Sequence, residues 1–317
     1  MKGSMIIHPD ELSAVWIDRL ADLGIDTLGI HPVGGASAAA SLADLLRLSG
    51  TVEYRELIDY AHSRGLEVEY ELHAAGYLLP RDLFAEHPEY FRVNGQGERV
   101  ADHNFCVSSR EALELVARRS AELAEALYGS CDRFYFWMDD GHDLFCHCEK
   151  CKRFSPSDQQ MTVINRMIRQ IRKRKPRASL AYLAYMDSIV PPSISAEDGV
   201  FLEYAPFEKY TAKGDNAHEL IRRERQMISP LMAHFGSGPR KVLEYWYDNS
   251  LYSNWQKPPK KFHLDSEGME KDIREYSELK FDTVSTFACF LGSDYEMLHG
   301  QIDIAPFAKA LKNLDPA

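Results

Sequence analysis

Two adjacent carboxylates, Asp139 and Asp140, follow a short aromatic run, Arg133–Met138, and precede Gly141. Like charges side by side resist joint ionisation, so an acid pair at the end of a buried strand suits proton-transfer chemistry. The competing reading is a strand-end turn with solvated acids. Cleavage of a glycosidic bond needs one acid to protonate the leaving oxygen and one group to stabilise the oxocarbenium-like centre. Asp140 reads as the general acid, because Gly141 beside it lets a substrate approach closely. Adjacent side chains diverge, so Asp139 does not pair with it as an ordinary nucleophile. Asp139 fits instead the polarising of a substrate 2-acetamido group, whose own oxygen then attacks. The ordinary alternative, double displacement, takes its carboxylate from a later strand: Glu244 lies on that strand and Asp248 at its end. Glu244 has a plainer reading too, a buried acid paired with a basic residue.

A second chemistry follows at once. Cys146, Cys148 and Cys151 have C-x-C-x-x-C spacing and supply three soft ligands. Zn²⁺ takes four in a tetrahedron, and Cys106 in the preceding long loop is the choice for the fourth, with His103, His142 and His147 as rivals. Four thiolates close the coordination shell, which makes the site structural and leaves no position for zinc-dependent hydrolysis. Reduced thiols or disulfides are the alternative. Cys131 and Cys289 read as small core residues. No organic cofactor is expected, since neither G-x-G-x-x-G nor a Walker pattern occurs.

These residues need a scaffold. Short apolar runs alternate with amphipathic segments along the chain: strands at 5–8, 27–31, 66–73, 133–138, 178–185, 200–204, 241–247 and 283–288, with helices between most of them. Residues 34–41 read as a small-residue loop, and residues 74–109 as a long irregular segment. Eight strands and their helices over one continuous domain, residues 5–314, predict a (β/α)₈ barrel; residues 1–4, M-K-G-S, read as a tag ahead of the fold. Active sites in this fold lie at the C-terminal ends of the strands. Those ends carry His8, His31, His73, the Asp139/Asp140 pair, Tyr185, Tyr204, Tyr247 and Asp248. Trp137 and the loop residue Trp255 add aromatic surface. Such a rim suits an oligosaccharide or glycoconjugate: aromatic faces stack on sugar rings, while imidazoles and acids bond hydroxyls. Simple core packing is the rival reading for aromatics within strands, since alternation turns about half of them outward.

The formal net charge of −11 argues against nucleic acid and anionic membranes as partners. No apolar run is long enough to span a bilayer, and no secretory signal is visible, so a cytoplasmic location is expected unless a leader has been removed. Oligomeric state is not legible.

Several motifs together resemble a known family. They are N-F-C-V-S-S (Asn104–Ser109), D-D-G with C-H-C-E-K-C (Asp139–Cys151), Asn165, L-A-Y with P-P (Leu183–Pro192) and H-P-E-Y-F-R-V-N-G (His87–Gly95). They are similar to the bacterial family long filed as domain of unknown function 4838, well over residues 60–205 and only at fold level elsewhere. That family includes glycoside hydrolase family 163, endo-β-N-acetylglucosaminidases acting on N-glycans. The resemblance implies a (β/α)₈ barrel, a retaining mechanism and a substrate carrying N-acetylglucosamine. It also resembles hexosaminidases in which an adjacent acid pair after the fourth strand serves substrate-assisted cleavage; carried over, the polarising role falls on Asp139 and the general acid on Asp140. Many members have a further N-terminal domain and an export signal, which this sequence lacks, so a short, imported glycan fragment rather than an intact glycoprotein is the expected target. A rival class is a catalytically silent, zinc-stabilised sugar-binding barrel.

Overall fold

A computed structural model describes residues 1–314. Eight parallel strands close into a barrel in sequence order: β1 (Lys2–Ile7), β2 (Thr27–Ile30), β3 (Glu67–His73), β4 (Arg133–Trp137), β5 (Ser179–Ala184), β6 (Val200–Tyr204), β7 (Arg240–Glu244) and β8 (Thr283–Phe287). β1 and β8 seal it, with Ser4 opposite Ser285 and Ile6 opposite Phe287. The expected (β/α)₈ barrel is therefore the fold.

Two expectations change. Lys2–Ser4, set apart by sequence as a tag, form the first half of β1; Gly3 and Ser4 are buried, and both ends of the segment pair with β8. Residues 34–41 are not a loop throughout, because a helix runs Ala38–Leu48. Its alanine run is helix-favouring, and Leu42 and Leu45 supply the buried stripe.

Helix starts follow the local chemistry. Ser13, Thr51, Ser109, Ser155 and Asp265 each accept a backbone N–H three residues on, at the starts of the helices Ala14–Leu23, Val52–Ser63, Arg110–Ala126, Pro156–Ile171 and Ser266–Glu278. Gly24, left-handed at φ 76°, ends the first of them.

Strand alternation divides the core in two. Ile6, Tyr135, Trp137, Ala181, Leu183, Phe201, Leu243 and Phe287 fill the barrel, while the neighbours of each along its strand pack outward against the helices. The lower barrel is ionic. Lys241 lies fully inside, with Nζ 2.6 Å from Glu71, 3.1 Å from Glu69 and 3.7 Å from Glu203, and 3.9 Å from the centre of the Tyr135 ring. Arg133 gives Glu69 a second cationic partner at 2.6 Å. One carboxylate oxygen each of Glu71 and Glu203 accepts no hydrogen bond. Burial pushes Glu71 up to about 7 and Glu203 up to about 8, against the pull of Lys241. Those two acids thus share too little positive charge to stay fully ionised at neutral pH.

Candidate active site and thiol cluster

A cavity of about 380 Å³ opens over the C-terminal ends of the strands, within the size range of small-molecule sites. Three imidazoles from β1, β2 and β3 line one side in a row. His8 and His31 stack with centroids 6.0 Å apart, and His31 meets His73 edge-on at 5.4 Å. His8 Nδ1 lies 2.7 Å from the His31 carbonyl, and His31 Nδ1 lies 2.7 Å from the Glu71 carbonyl. A carbonyl only accepts, so both rings carry their proton on Nδ1 and offer Nε2 as an acceptor when neutral. Burial, then the neighbouring imidazoles, holds His31 well below the usual histidine range, which keeps it neutral. Gly34 approaches His73 so closely that a Cβ would fall 2.7 Å from the ring.

A carboxylate stands near each end of this row. Asp140 Oδ1 is 3.4 Å from His73 Nδ1. Its side chain keeps 37% of its surface open through the cavity mouth. The surrounding walls still remove enough water to raise its pKa, opposed by His73 and helped by Asp139. Asp248, buried beyond the end of β7, caps the short helix Asn249–Tyr252: Oδ1 accepts from Ser250 N at 3.0 Å, Ser250 Oγ at 2.5 Å and Leu251 N at 3.1 Å. Burial raises it too, while those donors and nearby His8 favour the charged form. Trp137, Tyr185, Tyr245 and Phe287 supply aromatic walls, and Trp255 lies at the rim. The Trp137 indole N–H donates to Glu203 at 2.8 Å, which ties the cavity wall to the ionic floor.

Of the residues the sequence proposed, the cavity therefore gathers His8, His31, His73, Trp137, Asp140, Tyr185, Asp248 and Trp255. Four fall outside. Asp139 Oδ2 accepts from Arg81 Nη2 at 2.6 Å and from Asn104 N at 2.7 Å, and Asn104 Oδ1 in return accepts from Asp139 N. Asp139 thus clamps the long 74–109 segment to the end of β4. Glu244 shares the outward face of β7 with Val242; it accepts from Tyr210 and Tyr276 hydroxyls at 2.5 Å each and from Lys209 at 3.2 Å. Its paired-acid reading is the one that fits. Tyr204 is buried on the outward side against Phe281, and Tyr247 stacks on Phe262 at 5.6 Å. Both are core: Tyr204 follows the outward parity of β6, whereas Tyr247 lies beyond the end of β7, where the alternation that would have turned it inward has lapsed.

Sequence reading missed Arg81 and Asn104, which reach their partners only through the folded loop. Cys289 is the buried core residue expected, and what went unread is that it lines the cavity with Phe287. Phe287 and Cys289 share the inward parity of β8, a signal present in the sequence.

The four thiols Cys106, Cys146, Cys148 and Cys151 place their sulfurs within 4.8 Å of one another. Cys106 Sγ lies 3.7 Å from Cys148 Sγ and 3.8 Å from Cys151 Sγ. Disulfide bonding needs a far shorter approach. A tetrahedron with about 2.3 Å bonds has edges of about 3.8 Å, so the donor set fits Zn²⁺. Around it, Val93 N donates to Cys146 Sγ, and Gln159 both donates to and accepts from the Cys146 backbone. His142 and His147 instead pair with Asp187 and Asp143. Among the described residues this is the one group with metal-ligand spacing. No helix there is long and apolar enough to cross a membrane.

Among solved structures the chain is similar to the β-galactosidase of the psychrophilic Marinomonas ef1, at TM-score 0.60 and 15% identity over 98% of this chain and 59% of that one. It is similar to endo-glycoceramidase II of Rhodococcus sp., at TM-score 0.52 and 11% identity over 90% and 72%. A GH20 module of the pneumococcal exo-β-D-N-acetylglucosaminidase StrH matches at TM-score 0.50 and 12% identity over 99% and 84%. The chain spans somewhat more than half the length of the β-galactosidases. At these identities the likeness is one of fold. No curated protein sequence matches the chain. The sequence profile of one family, described as domain of unknown function (DUF4838), matches residues 47–286, most of the chain, and the chain belongs to that family.

Proposed function

We propose that the chain is a glycoside hydrolase acting on a β-linked glycan, with Asp140 as general acid and Asp248 as the second carboxylate. One observation carries this reading: two carboxyl groups, from beyond the ends of β4 and β7, face one aromatic cavity, Asp140 held toward its acid form by burial and Asp248 fixed by three donors at Oδ1. Asp140 protonates the leaving oxygen. Asp248, in the charged form that its donors at Oδ1 and nearby His8 favour, attacks C1 as the leaving oxygen takes its proton from Asp140; the hydrogen bonds at Oδ1 hold the carboxylate and leave the other oxygen for that step. His8 and His31, with Nδ1 committed to carbonyls, accept sugar hydroxyls at Nε2. The solved structures of similar fold are glycoside hydrolases by name, which supports the same class. The family resemblance to glycoside hydrolase family 163 supports N-acetylglucosamine as the sugar.

The test is hydrolysis of aryl β-glycosides with proton NMR of the first product. Double displacement through Asp248 gives the β anomer, and it tolerates a plain 2-hydroxyl. Release of the α anomer would remove Asp248 as nucleophile. Turnover confined to sugars with a 2-acetamido group would transfer the nucleophile to the substrate itself. Failure of every aryl glycoside to turn over, with sugars still bound, would favour the silent sugar-binding barrel.

The thiol cluster is a structural zinc site in this reading, joining the 74–109 segment to the loop after β4. Protein purified without chelator should contain about one zinc per chain by elemental analysis. Removing it should speed amide exchange in residues 80–106 and 142–156 before the barrel strands. Metal-free protein with unchanged exchange there would end the assignment.

A further inference from the structure

Beside the central cavity lies a second one of about 560 Å³, between the loops after β6 and β7. The two share Tyr245, Asp248, Leu251 and Trp255 as common walls. Trp255 stands on this boundary with 64% of its surface exposed, and Tyr252 nearby with 51%. Single exposed aromatics are ordinary, but two beside each other at the mouth of a cavity form the kind of apolar patch that marks ligand-binding grooves. The backbone beneath is built for this display. Asn254 and Trp255 both adopt φ 54°, a left-handed pair without glycine. Such residues are strained, so surrounding contacts must hold the pair in place. They do: Trp255 N donates to Ser250 O at 2.7 Å, Lys260 N to Ser253 Oγ at 3.0 Å, and the buried Asn249 side chain to Lys260 O at 3.0 Å. Lys213, His263 and Asp265 also line this cavity and supply it with polar groups. An exposed aromatic face with polar groups in the same cavity suits a sugar ring, whose C–H face is apolar and whose edge carries hydroxyls.

We propose that the second cavity is a subsite for a further pyranose ring, joined to the ring in the central cavity, with the Trp255 indole as its stacking face. The substrate then has at least two rings. This deepens the hydrolase reading and rests on it for the central ring. The test uses Asp140→Asn protein, so that probes are bound and not turned over. Calorimetry compares β-linked di- to tetrasaccharides of N-acetylglucosamine, glucose and galactose with the matching monosaccharides. At least one disaccharide should bind on the order of tenfold tighter than its monosaccharide, a gain in the range of one aromatic contact. Trp255→Ala in the same background should erase most of that ratio. Trp255→Phe should restore it in large part, and Tyr252→Ala should reduce it. The proposal falls if no oligosaccharide binds more tightly than its monosaccharide, or if Trp255→Ala leaves the ratio intact. Wild-type protein that hydrolyses no glycoside, while the ratio behaves as expected, would sink the hydrolase reading and keep the subsite. Turnover with a ratio of one would do the reverse.

Discussion

Asp140→Asn should lower kcat/KM on the order of 10²–10⁴-fold for glycosides with poor leaving groups, and far less for dinitrophenyl glycosides. Poor leaving groups depart only with a proton, and of the adjacent pair Asp139 and Asp140 it is Asp140 that reaches the cavity. Burial raises its pKa above the ordinary aspartate range, so the acid form survives to higher pH than in a free side chain. Wild-type activity on poor leaving groups should therefore fall as pH rises through that shifted value, and Asp140→Asn should remove this basic limb. Asp248→Gly should bring turnover of all leaving groups to background, and azide should restore it by forming a glycosyl azide inverted at C1. Asp139→Asn is expected to slow every leaving group by a similar factor, because it loosens Arg81 and Asn104 and leaves the acid in place. A leaving-group dependence specific to Asp139→Asn, with Asp140→Asn nearly active, would exchange the two roles.

Lys241→Met should destabilise the fold by about 3–5 kcal/mol at neutral pH, the range for removing one partner of a buried ion pair. Among the described residues the lysine is the one cation that reaches Glu69, Glu71 and Glu203 together inside the barrel. Glu69 keeps Arg133; the other two acids would be left without a cation, Glu203 retaining the Trp137 N–H. Protonation relieves the defect, so its sign with pH is fixed. Glu71 and Glu203 have folded pKa values raised above their unfolded value. Native protein therefore holds more protons from about pH 4.5 to 8, and stability falls as pH rises across that window. Loss of Lys241 raises both acids further and steepens the fall. Chemical denaturation at pH 5 and pH 8 should show a smaller deficit at pH 5. An equal deficit at both would mean that packing around Tyr135, not charge, is what Lys241 supplies.

The barrel was legible because its signals are local. Eight apolar runs with period two, broken by capped helices, need no distant information, and closure follows from length and order. The thiol cluster was legible for the same reason: C-x-C-x-x-C fixes three donors within one loop, and the fourth cysteine was the soft ligand on the neighbouring loop. His8, His31, His73, Asp140 and Asp248 were found as residues at strand ends, where this fold places its chemistry. Some of what went unread was still written in the chain. The E-V-E-Y-E-L-H run of β3 puts Glu67, Glu69 and Glu71 on the face of His73, and parity on β7 puts Lys241 on the same side as Leu243 and away from Glu244. Tertiary structure alone decided which way the chain turns after a strand ends. There, period-two alternation lapses, and the direction of a side chain depends on what the loop meets. Asp139 meets Arg81 and Asn104, and Asp140 meets His73. Two identical side chains one residue apart thus receive different work from partners that sequence proximity does not reveal.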